Sequence, residues 1–456
     1  MSLPERVEIL IVGAGPTGLA CALSLDTHGC TDIVVVDAYE HGEDSSRAIA
    51  VHAATLEALY TVGCADALIE VGIQEPTFRL WDGSRLHTVA DFTSLTEYTK
   101  YPFVLIIPQY VTERILGEKV REKGVRVVRP KRVVGLKINE HDTNMTDVLF
   151  ESGEVIQARY VIGADGARST VRQATGIKFS DPNGEIPSSE VDSSNGTVTQ
   201  AILADVMFTE PLPSELARML FILSGDSPFL FIPLPPEAYD EQGTVYRIGG
   251  GIPAAMGAPP PSPPISYLQE LVDLSGPGAV KLSGDSTKLT ISKTLWSTRF
   301  RTHSAIADTF FTRLGWTQGG QYYSGGAVLL IGDAAHIHSP AGGQGMNLGI
   351  RDAISLGAAL ATHRSVTEPV VAPSEYRRLD MPLKEWADHR RQQGLTVIAL
   401  TKRMLSFAMA RPATTWYLGV IPVNWCMLRN FVLGIATSFS ATRRAAAWRL
   451  SGLGNR

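Results

Sequence analysis

Side chains that could do chemistry cluster late in the chain, in the stretch IGDAAHIHSPAGGQGMN at residues 331–347. Asp333, His336 and His338 are, by type, able to bind a metal ion. Metal ligands must converge from fixed elements, and nothing in this glycine-rich segment indicates that the three side chains are held together in that way. We therefore predict no metal site. The glycine-rich remainder indicates instead a backbone that lies close to a ligand.

A second candidate site lies near the beginning of the chain. The buried-strand pattern VEILIV is followed by Gly13-Ala-Gly15-Pro16-Thr17-Gly18 and a helix, and a second strand pattern, DIVVVD, ends at Asp37. Gly13 permits a tight turn, Gly15 lets backbone approach a pyrophosphate, and Gly18 allows close helix packing. The helix N-terminus favours phosphate, and Asp37 is placed to bind a ribose. This pattern predicts a dinucleotide site, which NAD or FAD could occupy.

Two further strand ends repeat this logic. YVIGADGARSTVR, residues 160–172, is a buried strand pattern that ends at Asp165-Gly166 before a helix start. VLLIGD, residues 328–333, ends at Gly332-Asp333, and the glycine loop after it leads into the long helix pattern MNLGIRDAISLGAALA. A strand ending in an acid before a helix N-terminus is the arrangement expected around a nucleotide.

The three motifs, in this order, resemble those of the single-component flavoprotein aromatic hydroxylases of the para-hydroxybenzoate hydroxylase and phenol hydroxylase type. Two further segments are similar to that family, SRAIAVHAATLEAL at 46–59 and PQYVTERILGEKV at 108–120. The resemblance implies FAD as the cofactor. It implies these cofactor-binding residues: Gly13, Gly15, Pro16, Thr17, Gly18, Asp37, Arg47, Gln109, Asp165, Gly166, Gly332, Asp333, Gly343, Gly345, Met346 and Asn347.

The resemblance also implies an activity. NADH or NADPH would reduce FAD, O₂ would form a flavin C4a-hydroperoxide, and a small aromatic substrate, phenolic or polyketide-like, would be hydroxylated. Pro340 matches a family position whose carbonyl faces the substrate. Epoxidation, halogenation and Baeyer–Villiger oxygenation on the same scaffold are the alternatives. A non-catalytic escort or inhibitor protein of the same fold is a further alternative from a different class.

The expected fold is α/β. A Rossmann-like FAD-binding domain would comprise residues 1–176 with 326–365, and a mostly antiparallel substrate-binding sheet would occupy 177–325. A helical C-terminal region would follow at 366–456. Within it, the apolar segment 415–439 is interrupted by Pro422, Asn424 and Arg429, so a membrane span is disfavoured. Packing on the substrate domain, a homodimer contact and peripheral membrane attachment remain open for this segment.

Composition excludes several other classes. A net charge of −5 and the lack of a basic run argue against nucleic-acid binding. The four cysteines form no CxxC pair, which disfavours a zinc site or a disulfide framework. A strand pattern starts almost at the amino terminus and leaves no room for a signal peptide, so a cytoplasmic location is expected.

Overall fold

The computed structural model describes residues 3–40, 42, 48–142, 144–182, 199–224, 227–253, 256–279, 289–318, 321–367, 376–408, 414–417 and 421–455. In chain order the strands are β1 (Arg6–Val12), β2 (Ile33–Val36), β3 (Ala50–Val51), β4 (Ile73–Glu75), β5 (Thr77–Trp81), β6 (Leu86–Asp91), β7 (Val104–Ile106), β8 (Arg126–Val128), β9 (Val133–Ile138), β10 (Thr146–Phe150), β11 (Val155–Gly163), β12 (Phe179–Ser180), β13 (Thr199–Phe208), β14 (Leu220–Ser224), β15 (Ser227–Pro233), β16 (Tyr246–Gly251), β17 (Ile291–Thr302), β18 (Ala305–Ala307), β19 (Phe311–Gln318), β20 (Gln321–Leu330), β21 (His336–Ile337), β22 (Thr414–Tyr417) and β23 (Ile421–Asn424). The α-helices are α1 (Pro16–Thr27), α2 (Ala53–Thr61), α3 (Ala65–Val71), α4 (Gln109–Glu122), α5 (Thr170–Ala174), α6 (Ile265–Ser275), α7 (Gly345–Thr367), α8 (Tyr376–Leu379), α9 (Met381–Ala408), α10 (Trp425–Ser438) and α11 (Ser440–Ser451).

The first sheet carries the three motifs. Its strand order is β19-β20-β11-β1-β2-β8, and the neighbours from β20 to β8 are parallel. β2 and the C-terminal halves of β1 and β11 are apolar and buried on both faces, as expected of a parallel sheet covered by helices. Because parallel strands end at the same edge, the motif after β1, the acid after β2 and the motifs after β11 and β20 all meet there.

Helices α1 and α7 pack against each other beside this sheet. The Ser24 hydroxyl donates to the Ile354 carbonyl at 2.7 Å, and a Cβ at Gly357 would overlap the Ser24 hydroxyl. This close approach requires small residues, since any larger side chain at 357 would force the helices apart. The packing joins elements that are more than 300 residues apart in the chain.

The second sheet has the order β17-β13-β16-β15-β14-β5-β6. All its neighbours are antiparallel except β14 and β5. Helix α6 covers one face, where Leu268, Leu271 and Val272 join a separate core with Phe229 and Phe231. The predicted α/β fold with a mostly antiparallel second sheet is confirmed. The second sheet is not formed by one continuous stretch of the chain, since β5 and β6 precede β11 in sequence yet belong to this sheet.

The C-terminal region packs on both sheets through helices. Helix α9 binds α7 through Trp386, whose indole N–H donates to the Ser355 hydroxyl at 3.0 Å. The segment 415–439 is not a single helix, because β22 and β23 form a hairpin before α10 begins at Trp425. Pro422 lies within β23, which accounts for the late helix start. Among the helices of the described residues, none is long and apolar enough to cross a bilayer.

Candidate cofactor site

The first glycine turn is a cradle with no space for side chains. Gly13 has φ 109°, a conformation that L side chains rarely adopt, and its N–H donates to the Val36 carbonyl at 2.8 Å. A Cβ at Gly13 would overlap the Ala164 carbonyl oxygen, and one at Gly18 would overlap the Gly13 carbonyl oxygen. The glycines therefore let β1, α1 and the end of β11 approach closely.

Gly15 is different, because the space beside it is open. It is the N-cap residue of α1, with φ −74°, and Pro16 follows at the first helical position. The atom nearest to a Cβ built on Gly15 is Glu113 Oε1, at 4.0 Å. Open space at a helix N-terminus, where unpaired N–H groups and a partial positive charge concentrate, suits a pyrophosphate.

Asp37 is held at the end of β2 beside this turn. Its carboxylate accepts the Ala14 N–H at 2.6 Å and the Tyr39 N–H at 2.9 Å. The Arg129 guanidinium donates to the Ala14 carbonyl at 2.8 Å from the adjacent β8 end. The predicted ribose-binding acid is thus fixed next to the open helix N-terminus.

Asp165, after β11, is fixed by the start of α5. Its Oδ2 accepts the N–H groups of Thr170 and Val171 at 2.7 and 3.1 Å. Its Oδ1 is buried without a hydrogen-bond partner in the described part of the chain. Burial raises the pKa of the Asp165 carboxyl, against the Ser169 hydroxyl and the backbone N–H groups, which favour the ionised form. A hydroxyl of a bound ligand would satisfy Oδ1.

The motif after β20 packs directly on the first turn. Cβ atoms at Gly332 and Gly349 would lie 2.8 and 2.6 Å from the Thr17 hydroxyl. Arg172, in α5 seven residues after Asp165, donates to the Ala334 carbonyl at 2.8 Å and so links the second motif to the third. The three strand ends therefore form one connected group.

The glycine loop before α7 completes the group. Gly342 and Gly343 have φ 79° and 63°, and the Gly343 N–H donates to the Pro340 carbonyl at 3.0 Å. Asn347 anchors the loop, since its amide donates to the carbonyls of Ala50 and Gly343 at 2.8 and 2.7 Å. Helix α7 thus begins at Gly345 with its N-terminal end beside β3.

Two histidines border this loop with unsatisfied ring nitrogens. His52 Nε2 contacts the Gly342 carbonyl at 2.8 Å, and His338 Nδ1 contacts the Ser339 carbonyl at 2.9 Å. His52 Nδ1 and His338 Nε2 are buried without a partner among the described residues. Burial lowers the pKa of each imidazole to about 4, so both rings are neutral at pH 7. Buried polar atoms without partners are rare and indicate a missing hydrogen-bonding group.

His336 belongs to an ion-pair cluster. Its Nε2 contacts Asp352 Oδ2 at 2.6 Å, and Arg390 donates to Asp352 Oδ1 at 2.6 Å. Burial alone would raise the pKa of Asp352, but Arg390 and His336 outweigh it and lower that pKa. In the described residues no group of three or more His, Cys, Asp or Glu side chains could hold a metal ion.

Four further predicted residues are Gln109, Asp333, Pro340 and Arg47. Gln109 begins α4, and its amide donates to Glu113 at 2.8 Å. Asp333 and Pro340 are exposed at the motif edge. Arg47 lies outside the described residues. The individual roles of these four in binding or catalysis stay predictions.

The sequence patterns did not indicate a buried ion pair between adjacent strands of the second sheet. Arg247 on β16 donates to both oxygens of Asp205 at 2.6 Å, and both side chains are at most 1% exposed. Arg247 also donates to the Ala48 carbonyl at 3.5 Å, next to the segment that resembles a flavin contact. Tyr239 donates to Asp205 at 2.6 Å. The two residues lie in separate strand patterns, and a single sequence does not indicate that their side chains pair.

A solvent-open cleft of about 1200 Å³ lies between the two sheets. One side of its wall is formed by α4, β8 and the residue after β8, and the other by the second sheet and the segment before β16. The first side contributes Arg114, Arg121, Arg126 and Arg129, and the second contributes Tyr239 and Trp296. The wall also carries Glu40, Glu113 and Asp240, so the cleft is mixed in charge, and Arg129 is the arginine that contacts the turn beside Asp37.

These observations fit a flavin adenine dinucleotide. The glycine cradle excludes side chains where backbone must come close, the helix N-terminus beside Gly15 is open, and orphaned polar atoms lie at Asp165, His52 and His338. The fold and site define an FAD-binding protein. In agreement, residues 6–235 and 315–367 match the family model described as "FAD binding domain", and the chain belongs to this family.

Known relatives confirm the resemblance to flavin-dependent aromatic hydroxylases. A rifampicin monooxygenase of Rhodococcus hoagii is 28% identical over 427 residues, which cover 87% of this chain and 79% of that protein. A pentachlorophenol 4-monooxygenase of Sphingobium chlorophenolicum is 29% identical, and the match covers 77% of this chain but 58% of that protein. The solved p-nitrophenol 4-monooxygenase of Pseudomonas putida superposes with a TM-score of 0.71 at 22% identity, covering 99% of this chain and all of that one. This last similarity establishes the fold.

Proposed function

We propose that this protein is an FAD-dependent monooxygenase that hydroxylates a small aromatic molecule, phenolic or polyketide-like, with NADH or NADPH as the electron donor. The observation that carries the proposal is the convergence of four parallel strand ends on one glycine-lined cradle. The names of the relatives, which include rifampicin and pentachlorophenol monooxygenases, support the substrate class.

The residues around the cradle would divide the cofactor among them. The N-terminus of α1 at Gly15 would hold the pyrophosphate and Asp37 the adenosine ribose. Asp165 and Asp333 would bind hydroxyls of the flavin side. The loop Gly342–Gly345 would lie against the isoalloxazine ring, with the positive end of α7 near its pyrimidine edge. That positive end would stabilise negative charge on the reduced ring.

When bound, the flavin would accept a hydride from NADH or NADPH and activate O₂, so that one oxygen atom enters the aromatic ring and the other leaves as water. The chain's own contribution would be positioning and exclusion of water. The neutral imidazoles of His52 and His338 would add hydrogen bonds without adding charge. The Pro340 carbonyl would face the substrate side, and the second sheet would form the outer wall of the pocket.

A product analysis tests this proposal. The purified protein is expected to bind FAD in a one-to-one ratio and to show flavin absorbance. A panel of phenols and polycyclic aromatic compounds is then screened for compounds that accelerate oxidation of NADH or NADPH. With ¹⁸O₂ the product should gain one labelled hydroxyl on an aromatic carbon.

The other outcomes point to the alternatives. A chlorinated product, an epoxide or a ring-expanded lactone would replace the hydroxylase assignment with another oxygenase chemistry. A protein that takes up no FAD would support an escort or inhibitor role instead. A variant carrying Gly15→Ala should lose FAD and activity together if the cradle is the cofactor site.

A further inference from the structure

Helix α10 is amphipathic in the reverse sense from most surface helices. Leu428, Phe431, Val432 and Ile435 lie at helical spacing on its outer side, and Phe439 follows just after its end. Phe431 and Phe439 are 64% and 60% exposed. Surface helices normally turn their apolar stripe toward the core. We call these five residues the outer face of α10.

The inner side of the same helix makes mostly polar contacts. Arg429 donates to the Ala408 carbonyl at 3.1 Å, Asn430 donates to the Asp82 carbonyl at 2.9 Å, and Thr437 contacts the buried His87 ring at 3.0 Å. Leu433 is the exception and packs with Leu80 and Leu223. These specific contacts fix the rotation of α10, so the outer face is held toward solvent.

The sequence around α10 is basic, although two of its cations pair with acids of other segments, Arg390 with Asp352 and Lys402 with Asp181. Residues 389–456 contain no Asp or Glu and ten Lys and Arg, whereas the chain as a whole carries −5. Three exposed or half-exposed arginines lie near α10, on the segment before β6, on α9, whose end contacts Arg429, and on α11. Arg85 lies against Gly434, Arg403 precedes the exposed Phe407 by one turn of α9, and Arg443 follows Phe439 by one turn. An apolar stripe with a basic border matches an anionic lipid surface.

We propose that α10 docks the protein on anionic membrane surfaces, with its outer face in the lipid headgroup region and the bordering arginines on lipid phosphates. A helix of 14 residues lies along such a surface rather than crossing it. A second copy of this chain is the other candidate occupant. Charge disfavours it, because a two-fold contact would bring together two regions rich in Arg and Lys.

Vesicle flotation of the FAD-loaded protein tests the proposal. Wild type should float with phosphatidylcholine vesicles that contain about one third phosphatidylserine, and much less with phosphatidylcholine alone. Raising NaCl from about 0.1 M to about 0.5 M should weaken binding. The double variant Phe431→Ser/Ile435→Ser should reduce the bound fraction about ten-fold or more. Arg403→Gln/Arg443→Gln should reduce binding to anionic vesicles only.

A matched control replaces exposed apolar residues elsewhere. Ile265 and Leu274 on α6 are 43% and 47% exposed, and Ile265→Ser/Leu274→Ser should float like wild type. Unchanged melting temperatures and flavin absorbance would show that all variants are folded and loaded. The proposal is overturned if wild type does not float with vesicles that contain phosphatidylserine. It is equally overturned if light scattering finds a dimer that Phe431→Ser/Ile435→Ser dissociates while vesicle binding is absent. Neither result depends on the hydroxylase assignment.

Discussion

Single residues of the first turn have two separable roles, one in the fold and one toward the ligand. Gly18 is needed for packing, because a Cβ there would overlap the Gly13 carbonyl oxygen. Gly15 has open space and ordinary φ, so a methyl group fits the protein but occupies ligand space. We expect Gly18→Ala to lower the melting temperature of the apoprotein strongly. Gly15→Ala should leave that temperature within a few degrees of wild type yet weaken FAD binding by about 100-fold.

Gly135→Ala serves as the control for both variants, since its Cβ would meet Leu149 at an ordinary 3.7 Å in β9, remote from the cradle. It should change neither property. Calorimetry of the apoprotein and fluorescence titration with FAD give the two readouts. Equal losses of apoprotein stability at Gly15 and Gly18 would contradict the division of roles.

The buried pair of Arg247 and Asp205 leads to a second residue-level prediction. Removing one partner leaves an uncompensated charge in the interior, so Arg247→Met should lower the free energy of unfolding by about 3–5 kcal/mol. The double variant Arg247→Met/Asp205→Leu removes both charges and should be more stable than Arg247→Met alone. Urea denaturation measures both values. If instead the double variant loses more stability than the single one, the pair is not coupled as the geometry indicates.

At the scale of elements, one titratable side chain, His52, joins the start of helix α2 to the glycine loop before α7. His52 precedes α2, and its ring binds the Gly342 carbonyl. Burial lowers its folded pKa to about 4 from the usual 6.5. Between pH 4 and pH 6.5 the imidazole of His52 is protonated in the unfolded chain but stays neutral in the folded chain. Stability should therefore fall as pH decreases from about 6.5 to about 4, by about 3 kcal/mol.

His52→Gln should remove the His52 share of this pH dependence in the apoprotein and leave a shallower slope from His338, whose pKa is also lowered to about 4. His141→Gln, at an exposed position, should leave the slope unchanged. Denaturant unfolding at several pH values between 4 and 7 measures the slope. Asp82 does not interfere, because its folded pKa is lowered to about 2 and its contribution is lost at more acidic pH. An unchanged slope in His52→Gln would assign the effect to other groups.

The elements show where sequence patterns suffice and where they fail. Continuous apolar runs identified β1, β2 and the C-terminal parts of β11 and β20. A strand buried on both faces is apolar along its length, so its pattern is visible in the local sequence alone. The mostly antiparallel sheet expected within 177–325 likewise includes β13 and β15. The segment 415–439 divided into a hairpin and α10, since apolarity alone does not set the period. The inward polar side of α10 depends on Asp82 and His87, which no local pattern reveals.

At the scale of the molecule, the site was predictable in kind but not in its connections. The three glycine and aspartate motifs carry their own signal, because each needs a fixed residue at a fixed backbone position. The Arg247–Asp205 pair, the His52 contact and the link from Arg172 to Ala334 join distant segments. Such contacts depend on the assembled sheets, and a single sequence contains no record of which polar side chains meet.

The assembly itself gives the last prediction. Residues 3–182 contain the first two motifs, Asp37 and Gln109, but they lack β20 and α7. Without these, β11 keeps β1 but loses its other parallel partner, β20, and α1 loses the helix against which Ser24 packs. The fragment should therefore be insoluble or free of FAD, although it carries the complete GxGxxG turn.

Co-expression with residues 199–456 should restore a soluble complex that binds FAD, because the sheet can close from two chains. Absorbance of the purified fragment and complex measures this. Stoichiometric FAD on the fragment alone would mean that the first two motifs suffice and that the third strand end is dispensable.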